Sequence, residues 1–214
     1  MNEKKKPKIK VTKNGPYAVR DLETLKNSRG EQIETKPAMI LCRCGKSAKK
    51  PFCDSTHSMI GFTDEKQEGR PADTMDHYKG EAITIHDNRG VCSHAGHCTD
   101  NLKKVFRMDK EPWIDPDGEE TKKIAEVIKM CPSGALSYTL EGDDYKDQDR
   151  DPSITVSKDG PYRVQGEPDF EDPDGNTPES KEHYALCRCG GSKNKPFCDG
   201  SHWYIKFKDE KINA

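Results

Sequence analysis

No stretch of this 214-residue chain approaches the roughly 20 apolar residues that a membrane-spanning helix needs, so a spanning protein is not expected. Hydrophobic residues make up only 31% and aromatics 7%, against 35% charged, which is too little apolar material for one large core. Such a chain either stays partly disordered or is held by small, locally stapled modules. Charge of one sign is also lacking: 36 basic residues face 38 acidic ones, a net −2, which argues against nucleic acid as the main partner. There is no nucleophile–base pairing and no phosphate-binding loop, so no enzymatic activity is expected. The start carries no apolar signal segment, and the nine cysteines are odd in number and spaced unlike a disulfide framework. The expectation is a soluble, cytoplasmic protein of a reducing compartment, with no membrane association.

What the chain does have is a repeated constellation of metal-ligand residues. Leu41 to His57 places Cys42, Cys44, Cys53 and His57 in the order Cys-x-Cys, eight residues, Cys, three residues, His, and Leu186 to His202 repeats it as Cys187, Cys189, Cys198 and His202. Cysteines two apart leave extended backbone on one side, and a cysteine and histidine four apart share one face of a helix. Two such pairs make a set of three thiolates and one imidazole. Zinc accepts that set, but zinc modules usually separate paired cysteines by two to four residues. Two pairs that each serve their own metal fit a two-iron cluster better. Buried free cysteines would not recur in this pattern twice.

The segment Cys198-Asp199-Gly200-Ser201-His202, preceded by Cys187 and Cys189, resembles the signature of the CDGSH iron–sulfur proteins, the mitoNEET family. The earlier segment is similar but reads Cys-Asp-Ser-Thr-His, with Ser55 where the family has glycine. The resemblance implies one 2Fe–2S cluster per motif, with one iron on the Cys-x-Cys pair and the other on the third cysteine and the histidine. If the glycine position needs positive φ, Ser55 carries a cost.

A constant offset of 145 residues relates Ile9-Lys10-Val11 to Ile154-Thr155-Val156, Gly15-Pro16-Tyr17 to Gly160-Pro161-Tyr162, and Asp64-Glu65-Lys66 to Asp209-Glu210-Lys211. This is an internal duplication, and two copies suit a pseudo-twofold pair better than a solenoid. The expected organisation is a first CDGSH-type domain over 1–68, a middle domain over 75–140 and a second CDGSH-type domain over 152–214. Residues 64–74 and 141–151 read as linkers, and 1–8 as a solvated tail. Each repeat should run from short strands through the cluster loop and a helical turn to a strand at 60–63 or 204–208. Asp54 and Asp199 suit the start of that turn. Ser47 and Ser192 are candidates to hydrogen-bond the thiolates, or are ordinary loop serines.

Between the repeats, a strand over 82–85, helices over 101–106 and 119–130 and a strand over 137–140 frame Cys92, Cys98 and Cys131-Pro132. This resembles a small single-cluster bacterial-type ferredoxin, whose cysteines come at three-residue steps and close with a distant Cys-Pro. The central cysteine is replaced by Ala95. The resemblance implies a 3Fe–4S cluster, or a 4Fe–4S cluster whose fourth iron is held by another group, with His94 and His97 as local candidates. Zinc on Cys92, Cys98, Cys131 and one of those histidines is the competing reading. His77, His86 and His183 are assigned to the surface, and Trp113 and Trp203 to the core or to shielding of a cluster.

The fold class expected is α+β: small β-rich repeats forming an intramolecular pseudo-twofold pair, with an inserted ferredoxin-like α+β domain. The function expected is electron transfer, with a redox partner protein and a monomeric state. Alternatives are a cluster donor or redox and iron sensor with acid-labile clusters, and a zinc-stapled interaction module. An imidazole brings no charge to a cluster, so the histidine-ligated sites should have potentials above plant-type ferredoxins and below most Rieske centres, between roughly −400 and +300 mV.

Overall fold

The computed structural model describes residues 5–209. Residues 1–4 of the expected tail, and the end of the second Asp-Glu-Lys phrase, lie outside the described residues; of the rest of that tail, Pro7 is buried and Lys8 opens the first strand. In chain order the strands are β1 (Lys8–Val11), β2 (Tyr17–Arg20), β3 (Thr24–Lys26) and β4 (Ala38–Leu41), followed by α1 (Thr56–Met59). Next come β5 (Asp76–Lys79), β6 (Ile83–Asp87), α2 (His97–Asn101), α3 (Thr121–Ile128), β7 (Leu136–Leu140) and β8 (Asp143–Tyr145). The second repeat supplies β9 (Ser153–Val156), β10 (Tyr162–Gln165), β11 (Asp169–Glu171), β12 (His183–Leu186) and α4 (Ser201–Tyr204).

The strands form three four-stranded sheets, and the first two exchange members. β1, β2 and β4 pair antiparallel, and β11 of the second repeat lies parallel to β1 with Phe170 opposite Ile9. Conversely β9, β10 and β12 pair antiparallel, and β3 of the first repeat lies parallel to β9 with Leu25 opposite Ile154. β3 and β11 are equivalent under the 145-residue offset, so the exchange is reciprocal. Alternation explains the burial: Ile9, Val11, Tyr17 and Val19 point inward from β1 and β2, while Lys10 and Arg20 face water. These side chains pack with Ile154, Val156, Tyr162 and Val164 into one core shared by both repeats. A scarce apolar inventory is thereby pooled rather than divided.

The middle segment builds the sheet β5-β6-β7-β8, with neighbours antiparallel, and a core of its own. Ile124 and Ile128, one turn apart on α3, supply the buried face of that helix. The structure is β-rich with few helices, as small CDGSH units should be.

Several local expectations are corrected. The helix expected over 101–106 lies instead at His97–Asn101, because Leu102 leaves helical geometry (φ −143) and the chain turns to bury Val105 and Phe106. The second linker contains β8. No strand forms over 60–63 or 204–208, because Gly61 (φ +63) and Lys206 (φ +52) take left-handed conformations that extended chain cannot continue.

Candidate metal centres

Each Cys-x-Cys pair follows directly on the last strand of its repeat. The loop then closes on itself through backbone bonds: Cys42 N–H donates to Pro51 O (2.7 Å), and Cys53 N–H to Ile40 O (2.8 Å). Cys187 to Pro196 and Cys198 to Ala185 repeat them at 2.8 and 2.9 Å. This fold-back carries the third cysteine alongside the first two. Cys53 does not share a helix with His57, contrary to the expectation from spacing. Instead Ser55 (φ +71) and Gly200 (φ +81) turn the chain left-handed, and the helices begin one residue later. Asp54 and Asp199 brace that turn, their carboxylates accepting from Thr56 N–H (3.1 Å) and Ser201 N–H (3.0 Å). Ser47 and Ser192 do not meet the thiols: each hydroxyl donates to a phenylalanine carbonyl, Phe52 O or Phe197 O, at 2.7 Å.

The donor atoms come in pairs. Cys42 and Cys44 sulfurs lie 3.8 Å apart and Cys187 and Cys189 sulfurs 3.9 Å, while Cys53 Sγ is 3.4 Å from His57 Nδ1 and Cys198 Sγ 3.5 Å from His202 Nδ1. Two thiolates on one tetrahedral metal, with bonds of about 2.3 Å, stand about 3.8 Å apart, so each pair already has the spacing of two ligands on one ion. Among the described residues no three His, Cys, Asp or Glu side chains converge closely enough to hold a single metal ion. The donors are instead grouped two by two in each repeat.

Electrostatics within each pair makes one sulfur markedly more acidic than the other. Hydrogen bonding from Cys42 lowers the Cys44 thiol to about 6, and bonding from Cys189 lowers Cys187 to about 7, while each partner is pushed far up. Two buried thiolates at this distance share one proton, and a metal would replace it. Burial raises Cys198 and lowers His202 to about 4, so the imidazole is held neutral, the state in which it can ligate.

Behind each loop sits a buried arginine that spacing did not flag. Arg43 bonds Asp64 at 2.5 Å and lies over Tyr17 and Phe62; Arg188 bonds Asp209 and lies over Tyr162 and Phe207. The signal was available, since all four members of each group recur at the 145-residue offset. The loops also meet each other. A Cβ on Gly45 would come within 2.4 Å of Cys189 O, and one on Gly190 within 2.5 Å of Cys44 O.

In the middle segment Cys92, Cys98 and Cys131 line one cavity of about 720 Å³, together with His94, Ala95 and His97. The side chains that sequence grouped are thus brought together around a volume larger than a single ion. Burial pushes Cys98 up to about 11 and raises Cys92, while it lowers both His94 and His97. Arg89 reaches Cys92 Sγ (3.7 Å) and lies 3.5 Å over the ring of Trp113, which lines the cavity.

Families of known proteins match the same three regions. The model described as an iron-binding zinc finger of CDGSH type covers residues 14–58 and 159–203. The chain belongs to the CDGSH-type iron-binding family. Between its two CDGSH regions, residues 78–141 match a divergent 4Fe-4S mono-cluster domain. The uncharacterized protein YjdI of Escherichia coli (strain K12) is 41% identical over 61 residues, 28% of this CDGSH chain and 80% of YjdI, and YjdI of Escherichia coli O157:H7 matches equally. No solved structure matches. Among the described residues no helix is long and apolar enough to cross a membrane.

Outside the centres, two assignments change, those of His183 and Trp203, while His77 stays exposed as assigned. His183 is buried, not superficial, and bonds Ser180 Oγ and Glu182. His77 and His86 are partners across β5 and β6, with Nδ1 atoms 2.7 Å apart. Trp203 is 64% exposed, so it belongs to no core.

Proposed function

We propose that this CDGSH protein is an electron carrier with three iron–sulfur clusters. Cys42, Cys44, Cys53 and His57 would hold one 2Fe–2S cluster, Cys187, Cys189, Cys198 and His202 a second, and Cys92, Cys98 and Cys131 a 3Fe–4S or 4Fe–4S cluster. The observation that carries the reading is the spacing of donors in pairs, sulfur with sulfur and sulfur with imidazole nitrogen, found in both repeats. Bound clusters of these types supply one-electron storage, and the thiolate-held middle one is expected at the lowest potential. The protein's residues position and insulate: the buried Arg43–Asp64 and Arg188–Asp209 pairs fix the loops, and the shared core excludes water.

The repeats act as an intramolecular pseudo-twofold pair, a reading supported by the reciprocal strand exchange, and the middle segment as a ferredoxin-like domain. A monomer follows, since each sheet obtains its fourth strand from the same chain. A redox protein of the cytoplasm is the partner, and no catalysed reaction is assigned.

Anaerobic purification should yield coloured protein with about seven or eight irons and matching acid-labile sulfide, as two two-iron clusters and one cuboidal cluster require. Potentiometry followed by electron paramagnetic resonance should find every cluster reducible, the middle one last. Redox-silent sites, or a middle site with the highest potential, would overturn electron transfer. The half-exposure of Cys53 and His57 favours one second reading, cluster donation to an acceptor protein.

A further inference from the structure

The two repeats share a motif but not an environment. Cys53 and His57 are half-buried and Ser55 is exposed, whereas Cys198 and His202 are 2% and 5% exposed and Gly200 is buried. β4 shows alternating burial, while all four residues of β12 are buried. The cover over the second repeat comes from the middle of the chain. Asn194 Nδ2 donates to Gly90 O (2.7 Å), Gln67 N–H donates to Lys193 O (2.9 Å), and the His94 ring lies against Gly200.

The glycine itself reports this contact. Ser55 and Gly200 occupy equivalent positions with nearly the same backbone, φ +71 and φ +81. Serine is therefore compatible with the cluster loop. What differs is the space outside it: a Cβ on Gly200 would stand 2.5 Å from His94 Cδ2 and 2.8 Å from its Cγ, closer than real Cβ contacts come. His94 is itself in a left-handed conformation (φ +53), which non-glycine residues rarely adopt.

We propose that the inserted domain closes the second CDGSH site, with His94 seated on Gly200 as the latch, and that this divides the labour of two copies of one motif. The second site keeps its cluster inside the molecule, beside the middle cavity that His94 also lines. The first site is the one through which the protein meets an acceptor or redox partner. His94 is on this account a positioning residue, not a ligand of the middle cluster. The inference rests on the cluster assignment above.

The test is loss of cluster to EDTA at neutral pH from the full-length holoprotein, followed as bleaching, with paramagnetic resonance on reduced aliquots to identify the two-iron signals. Two phases are expected for these signals, the slower by about tenfold or more, as exchange through local opening of a cover requires. Cys53→Ser combined with His57→Ala should remove the fast phase alone. Gly200→Ser and His94→Ala should accelerate the slow phase severalfold, and Ser55→Gly should leave it unchanged. His94→Ala should also leave the iron content of the middle site intact. A single common rate in the wild type, or a slow phase indifferent to both cover variants, overturns the inference while leaving the cluster assignment standing. Protein without iron or sulfide overturns both.

Discussion

The Tyr17 hydroxyl lies 2.9 Å from the carbonyl oxygen of Cys187, in the opposite repeat, and equally close to Pro196 O. Tyr162 returns the arrangement, 2.9 Å from Cys42 O and from Pro51 O. Both rings are fully buried and meet edge to face, with centroids 6.0 Å apart. Each repeat therefore holds the cluster loop of the other, at the carbonyl of its first cysteine.

Tyr17→Phe should remove the hydroxyl donor from the buried Cys187 carbonyl, while Pro196 O keeps the Cys187 N–H, a loss of about 1–3 kcal/mol. The effect should appear in the far repeat: faster loss of the cluster on Cys187 and its partners, with little change at Cys42. Tyr162→Phe should do the reverse. Urea unfolding combined with site-resolved resonance spectra reads both, and an effect confined to the mutated repeat would refute the crossed arrangement.

Asp64→Ala should cost about 3–5 kcal/mol, because it leaves the fully buried Arg43 guanidinium without its counter-charge. The double variant Asp64→Ala with Arg43→Met should recover part of that loss in urea titrations. If the single change is silent, the pair does not brace the loop.

Acid should act on the second site as pH falls from the ordinary imidazole value, about 6.5, toward 4. His202 is held to about 4 by burial, with the neighbouring His94 adding to the effect. A base whose folded value lies under its unfolded value, about 6.5, binds fewer protons in the folded protein. Its contribution to stability is complete above 6.5 and is lost as pH falls from there toward 4. Cluster loss from this site, followed by bleaching, should therefore steepen across that window. His202→Cys should remove the acid-dependent component, and an unchanged profile in that variant would exclude the histidine as the trigger.

Asp87 works in the opposite sense. Burial raises this carboxyl to about 6, despite Arg89 Nε at 3.0 Å. Its ionised form is a cost to the folded state at pH 7.5 that is relieved as pH falls through 6. Asp87→Asn should stabilise the protein at pH 7.5 by about 1–3 kcal/mol and by less at pH 5, in urea unfolding at the two pH values. Equal effects at both would show that the charge carries no penalty.

Ser55→Gly should stabilise the first loop by about 1 kcal/mol, since φ +71 is a conformation that costs serine and not glycine. Thermal unfolding of the holoprotein measures it.

The chain alone determined the candidate Cys/His constellations, the duplication and the place of the middle segment, because short-range spacing of cysteine and histidine and a constant offset are written in one dimension. Even the conformation at Ser55 was legible, through the glycine at its counterpart. What only the tertiary structure decided were relations between distant segments: the exchanged strands β3 and β11, the crossed tyrosines, and the seating of His94 on Gly200. Residues such as Thr24–Lys26 carry little periodic signal, and what pairs with them lies more than a hundred residues away. The inequality of the two sites arises in the same way, since Cys53 and Cys198 have nearly identical neighbours in sequence and differ in what folds over them.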